Sequence, residues 1–360
     1  MINVVITFIS VFGGLLLLIS VFRLFSRSLQ QKETISNDLT VIIPFRNEAI
    51  NLTPLLSSLE KQSKLPNKII FVNDHSTDQS FEMIQLWANN KENVHVLQLP
   101  DHLKGKKQAI SFGVHNAKQD YCLTIDADTW MEKDFFEQMK IPSQTDLQIR
   151  PVIMKGENLI GKFASVEYLL FNALNYLIAP IYHTSASGAN LIFRRSTYLK
   201  IGNLENHQHI KSGDDHFLLR NLQKNKAKIY ITNQIQDAVY TNAPINLKEY
   251  FDQRIRWLSK STQKTSIKEL LIGFLITVYL VGSFLLLIWL ILQGNLELAI
   301  AIFFFRVITD SIVFLYYTKS LKLVSQVIVL PIFQLIYPLF FTIILLGSVV
   351  YKPKWKGRRT

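Results

Sequence analysis

Uncharged apolar runs bracket a middle region in which short apolar strings alternate with amphipathic ones. Residues 4–22 carry no charge, and at about 1.5 Å per residue they nearly cross a hydrocarbon core of about 30 Å. Three more apolar runs occupy 269–292, 296–317 and 323–350. In the middle, LTVII (39–43), KIIFV (68–72), VHVLQL (94–99) and YCLTI (121–125) read as short buried strands. Helical spacing falls between them near 50–62, 78–89 and 105–117, and further helices are expected near 132–138, 160–180 and 213–224. Such alternation predicts an α/β fold with parallel strands, helices on both faces and ligands at the carboxyl ends of the strands. The chain therefore divides into an anchor at 1–25, a folded domain over 38–265 and a membrane region with a basic tail over 266–360. A polar linker near 26–37 joins the first two, and there is no internal repeat.

The stretch 247–262 (LKEYFDQRIRWLSKST) places Leu247, Tyr250, Phe251, Ile255 and Leu258 on one broad face and charges elsewhere. This pattern predicts an amphipathic helix lying at the membrane surface. Within the apolar run 296–317, Arg306 and Asp310 stand four residues apart on one helical face. Each charge costs about 2.5–3.5 kcal/mol at a helix centre on insertion scales, so the two are expected to pair inside the bundle.

The chain's 360 residues are 49% hydrophobic and carry a formal charge of +12. No zinc-finger, basic-zipper or RNA-recognition signature accompanies that charge, so nucleic acid is not expected as a partner. Instead the basic residues flank the apolar runs: Arg23, Arg27 and Lys32 after the first, Lys260, Lys264 and Lys268 before the second, and KPKWKGRR near the end. The first run lacks a basic start and a small-residue cleavage site, so it reads as an uncleaved anchor. With basic flanks inside, the folded domain lies in the cytoplasm and the protein is a multi-pass protein of the inner membrane. Four crossings would then leave the basic tail on the wrong side. Pro331 and Pro338 in the last run allow it to kink, start at the interface or re-enter. The lone Cys122, in an apolar strand, reads as a buried thiol.

Acidic motifs then fall where strands end. In VNDHSTD, Asp74 follows the second strand, where a carboxylate can accept hydrogen bonds from a nucleoside; an Asx turn is the plainer alternative. Pro44, Arg46 and Glu48 form a second loop on that rim, with Glu48 able to contact the nucleoside or cap the next helix. Asp126 and Asp128, separated by one small residue, can share a divalent cation such as Mg²⁺ or Mn²⁺, or cap a helix. Lys106 opens a helix where anions are favoured. Asp214 and Asp215 begin another helix, where one carboxylate can stay ionised and act as a base. Gln253, Arg256 and Trp257 put an amide, a guanidinium and an indole on one helical turn, suited to a diphosphate and an acceptor wall or to interfacial anchoring.

Taken in order, these residues resemble the family 2, inverting, GT-A-type glycosyltransferases, and especially their membrane-bound branch of ceramide glucosyltransferases and hyaluronan or cellulose synthases. The resemblance covers about 39–265. It implies a Rossmann-like nucleotide-sugar-binding domain flanked by transmembrane helices. It casts Asp74 as the nucleoside contact, Asp126 and Asp128 as the DxD pair with Asp128 the usual metal ligand, and Asp215 as the general base. Gln253, Arg256 and Trp257 match QxxRW, and Gly188 and Asn190, with Arg194 and Arg195 soon after, match the acceptor-side segment. Asn73 replaces a frequent Asp and Asp214 a frequent Glu, which weakens inference about the nucleotide. The implied partners are a nucleotide-sugar donor and a lipid or lipid-linked acceptor, the latter favoured by the surface helix. A processive polysaccharide synthase, or an inactive sensor or scaffold of the same fold, are the alternatives.

Overall fold

The computed structural model describes residues 2–25, 33–34, 38–201, 214–261, 266–351, 354–355 and 358–359. Arg27, Lys32, Lys264, most of the linker and half of the basic tail lie outside the described residues, as do the side chains of Asp214 and Lys260.

In chain order the elements begin with α1 (Ile2–Phe25), β1 (Leu39–Phe45), α2 (Leu52–Glu60), β2 (Lys68–Asn73) and α3 (Ser80–Ala88). There follow β3 (Val94–Gln98), α4 (Lys106–Asn116), β4 (Tyr121–Ile125), β5 (Thr129–Met131), β6 (Leu147–Ile149) and β7 (Val152–Lys155). Next come α5 (Leu159–Ile178), β8 (Asn190–Arg194), α6 (Arg195–Ile201), α7 (Asp214–Lys224), β9 (Ile229–Ile231), β10 (Val239–Asn242) and α8 (Leu247–Ser261). The four expected strands are β1 to β4: β1, β2 and β4 are apolar runs buried on both faces or nearly so, while β3, at the sheet edge, buries only Val94. Helix α2 forms for the complementary reason. Leu52, Leu55, Leu56 and Leu59 recur at helical spacing and all are buried, each contributing about 1.5–3 kcal/mol.

The seven-stranded sheet runs β9-β6-β8-β4-β1-β2-β3. All neighbours are parallel except β8, which is antiparallel to both β4 and β6. A three-stranded sheet, β5-β10-β7, stands beside it. The antiparallel strand and the second sheet go beyond the alternating pattern, and no helix forms at 132–138, where the backbone makes consecutive turns. The buried Arg150–Asp237 ion pair, 3.0 Å, joins the segment between β6 and β7 to the short turn before β10. Cys122 is fully buried in β4, and that burial pushes its thiol up to about 12.

Four helical stretches are long and apolar enough to cross a membrane: Asn3–Arg23, Ile267–Leu292, Leu296–Thr318 and Val324–Val350. The second comprises α9 (Ile267–Thr277), a π-helical turn over Val278–Gly282 and α10 (Ser283–Leu292); α11 (Leu296–Thr318) and α12 (Leu330–Val350) complete the set. Their outer faces are apolar and exposed, as at Phe22, Ile267 and Leu292. Arg306 and Asp310 are indeed buried in this bundle, but Gln334 of α12 stands between them, accepting from Arg306 and donating to Asp310. The expected direct pair is therefore a three-residue bridge that ties α12 to α11.

The amphipathic helix is also present, as α8, but its apolar face is covered by protein. Tyr250 and Ile255 pack on Ala164 of α5 and Ile344 of α12, with Phe251, Leu258 and Phe340 alongside. Only Leu247 of the five apolar positions is exposed.

Candidate active site

The carboxyl ends of β1, β2 and β4 carry the rim. After β1, Arg46 donates from Nη1 to the Asp74 carbonyl at 2.7 Å, and the Glu48 amide donates to Ser80 Oγ at 2.7 Å. Glu48 is buried and its carboxylate accepts from Asn51 Nδ2. Pro44 lies within β1, opposite Val72 of β2, and supplies the rim only through the turn it begins. Asn47 and His75 both adopt positive φ, and Asn47 exchanges hydrogen bonds with Ser76 and Thr77, so the two loops are one unit.

Asp74 is buried, and its Oδ1 accepts from the Gly105 amide at 2.9 Å. Gly105 has φ of 101°, a conformation that L side chains rarely adopt, and it caps α4. That contact draws the α4 N-terminus beside Asp74. It also sets Lys106, the first residue of α4, 2.6 Å from Asp126 Oδ1. Asp126 follows β4, and its carbonyl accepts from the Thr129 amide and hydroxyl, which closes the turn carrying Asp128.

Asp128 is pushed up to about 6, first by removal from bulk water and then by the Asp126 charge, with Lys106 and Arg256 pulling it down. Its outer edge stays open to solvent, so bulk water reaches the carboxylate. The Arg256 influence places the QRIRW segment of α8 on the same cleft.

On the far wall, Asp215 in the first turn of α7 accepts from the Gly188 amide at Oδ2, 3.2 Å, and from the His216 amide at Oδ1, 2.7 Å. Tyr168 of α5 shares a hydrogen bond with Ser187, feels the Asp215 charge, and places its ring 5.7 Å from that of Trp257. A hydrogen bond ties Asp74 to the start of α4, an ion pair joins Lys106 to Asp126, the charges of Asp126 and Arg256 act on Asp128 and that of Asp215 on Tyr168, and Tyr168 neighbours Trp257, so these groups are gathered in one region.

Two expectations change. Asn190 is fully buried, and its amide donates to the carbonyls of Pro151 and Asp237, so it ties the two sheets together. Arg194 and Arg195 lie away from the acidic rim. Because β8 is antiparallel to β4, Asn190 sits opposite Ile125 while Arg194 sits opposite Tyr121, at the other end of the strand. Arg194 bonds the Tyr121 hydroxyl and Arg195 the Val114 carbonyl.

Other residues hold the site without having been expected there. Arg254, inside QRIRW, is buried; its Nε donates to Glu167 at 2.7 Å and its Nη2 to the Ala164 carbonyl at 3.1 Å. It also donates to Gln253 Oε1, and its guanidinium lies 4.5 Å over the Trp257 ring. The lone acid in the apolar run of α5 was the available signal for Glu167. Arg220, on the Asp215 helix, forms a two-pronged pair with Glu269 at the start of α9, and Tyr182 joins it at 3.1 Å.

This fold, with its acidic residues at the strand ends, is of the GT-A type. Residues 40–202 match the family described as Glycosyl transferase family 2. The chain is 27% identical over 199 residues to a poly-beta-1,6-N-acetyl-D-glucosamine synthase of Staphylococcus aureus, covering 51% of this chain and 48% of the relative. It is 28% identical over 166 residues to the poly(ribitol-phosphate) beta-N-acetylglucosaminyltransferase TarS of that organism, covering 43% and 29%. The match spans less than half the length of either relative. Among solved structures, the mannosyltransferase PcManGT of Pyrobaculum calidifontis, in complex with GDP-Man and Mn²⁺, superposes with a TM-score of 0.53 at 13% identity. That superposition covers 94% of this chain and 99% of the other, and it speaks for the fold.

If Asp74 receives the nucleoside, Asp74→Ala removes a charged hydrogen-bond acceptor worth about 1.5–3 kcal/mol. Donor affinity is then expected to fall roughly 10- to 100-fold, read by titrating nucleotide against the purified protein. Unchanged affinity would remove Asp74 from the donor site.

Proposed function

We propose that this protein transfers a sugar from a nucleotide-diphosphate sugar to a hydroxyl of a membrane lipid or lipid-linked acceptor, with inversion at the anomeric carbon. One observation supports it above all: a hydrogen bond, an ion pair, a ring contact and charge interactions gather the groups from Asp74 to Asp215 in one region. Asp74 binds the nucleoside, Lys106 and Arg256 the diphosphate, and Trp257 walls the acceptor. Asp215 takes the proton from the acceptor hydroxyl. That oxygen bonds the anomeric carbon as the opposite carbon–oxygen bond breaks, and its electron pair leaves on the diphosphate.

The donor set fits a divalent cation. Burial and then the Asp126 charge raise Asp128, and a bound dication would offset both. Among the described residues no group of three or more acidic, His or Cys side chains is gathered for a metal. Phosphate oxygens and water would fill the remaining positions, as is usual for Mg²⁺. When bound, the ion neutralises charge on the departing diphosphate.

The basic flanks of the apolar helices favour an inner-membrane location with the active site on the cytoplasmic face. The similarity to a poly-N-acetylglucosamine synthase supports a second reading, a processive polymerase. The test of both is to incubate the purified protein with nucleotide sugars, native lipids and Mg²⁺ or Mn²⁺, with and without chelator, and weigh the products. A single glycolipid that disappears with EDTA is expected. A polymer ladder selects the synthase, and persistence in EDTA removes the metal.

A further inference from the structure

Length and composition count α12 among four membrane crossings, and that count sends the basic tail to the side opposite the catalytic domain. The contacts of α12 say otherwise. Before it, the Tyr317 carbonyl near the end of α11 accepts from Asn233 Nδ2 of the catalytic domain at 3.1 Å, and Lys319 and Lys322 are exposed just beyond. After it, Tyr351 shares a hydrogen bond with Asp252 of α8, beside Lys248, whose side chain is 81% exposed. Both ends of the Val324–Val350 stretch therefore lie beside groups of the same domain, with exposed lysines at each end. A single complete crossing separates its two ends by the bilayer, so α12 makes none.

The packing along its length agrees. Phe333, Tyr337, Phe340, Ile344 and Gly347 follow one another every three or four residues. Phe333 lies 5.1 Å and Phe340 5.2 Å from Phe163 of α5, and Tyr337 lies 5.8 Å from Phe171. Phe340 also meets Phe251 of α8 at 5.3 Å. A Cβ built on Gly347 would stand 2.6 Å from Ile255 Cδ1, so the two helices are in direct contact there. Over its 21 residues, about 31 Å at 1.5 Å each, α12 stays against helices of the catalytic half. The opposite stripe, Ile332, Leu335, Leu339, Ile343, Leu346 and Val350, is apolar and exposed, continuous in character with the outer faces of the three crossing helices.

We infer that α12 is a half-inserted helix whose exposed stripe is covered by the acyl chains of the leaflet facing the catalytic domain. The chain crosses completely three times, and its basic tail returns to the catalytic side, beside anionic headgroups. That arrangement obeys the positive-inside tendency that four crossings violate. The inference concerns sidedness alone and stands apart from the reaction proposed above.

A Cys122→Ala background removes the only native thiol. Single cysteines are then placed at Asp101, exposed on the catalytic domain, at Gln293, between α10 and α11, and directly after Thr360. They are probed with a membrane-impermeant maleimide in sealed vesicles of both orientations. The tail cysteine is expected to react with the sidedness of position 101 and opposite to position 293. Reaction with the sidedness of position 293 overturns the inference. Should the cysteine-free chain misfold, protease access to a carboxyl-terminal epitope on the native sequence gives the same two outcomes.

Discussion

Replacing Asp215 with asparagine is expected to lower sugar transfer by roughly 10²–10⁴-fold, the usual contribution of a positioned general base. Nucleotide affinity should stay within about twofold, because the Asp215 side chain is held by the Gly188 and His216 amides. The replacement is nearly isosteric, and an amide oxygen can still accept from the Gly188 or His216 amide. What it lacks is a basic oxygen for the acceptor proton. The measurement is turnover at saturating donor, paired with nucleotide titration of the same preparation. If Asp215→Asn keeps a tenth or more of native turnover, the proton goes elsewhere. If donor binding falls with turnover, the residue serves the fold.

Glu167→Ala is expected to destabilise the protein by about 3–5 kcal/mol, because it leaves the Arg254 guanidinium buried without its counter-charge. The side chains are 5% and 3% exposed, so water cannot substitute for the lost carboxylate. Glu167→Met combined with Arg254→Met should recover much of that stability, since a buried ion pair and an apolar pair of similar volume are often nearly equivalent. Turnover should not recover with it. Arg254 also holds Gln253 and stacks over Trp257, so the double variant loses the geometry of the acceptor wall. Unfolding in detergent gives the first readout, and acceptor KM against kcat gives the second. A double variant with native kinetics would reduce Arg254 to packing alone.

Much of the catalytic half was legible along the chain. Strands β1 to β4 are apolar runs of the right length, and the helices between them carry one buried stripe each, so local pattern and global fold agree there. Strand β8 was not legible, because its residues are as apolar as those of its parallel neighbours and direction is a property of pairing. Its reversal moved Arg194 and Arg195 to the wrong end of the sheet for the role expected of them. Helix α8 was found for its amphipathic period, yet the same period serves a lipid surface or a protein groove, and α12 fills that groove. Arg254 was passed over as a spacer, since nothing local marks a charge whose partner lies 87 residues away.

By itself the sequence determined the element types, the acidic residues at the strand ends and the positions of the apolar helices. These depend on residue order over a few turns, where spacing dictates which side chains share a face. Only the tertiary structure decided which carboxylates are gathered together, which arginine is structural, and which helices the last helix packs against. Those outcomes are set by contacts between distant segments, whose energies no local pattern encodes.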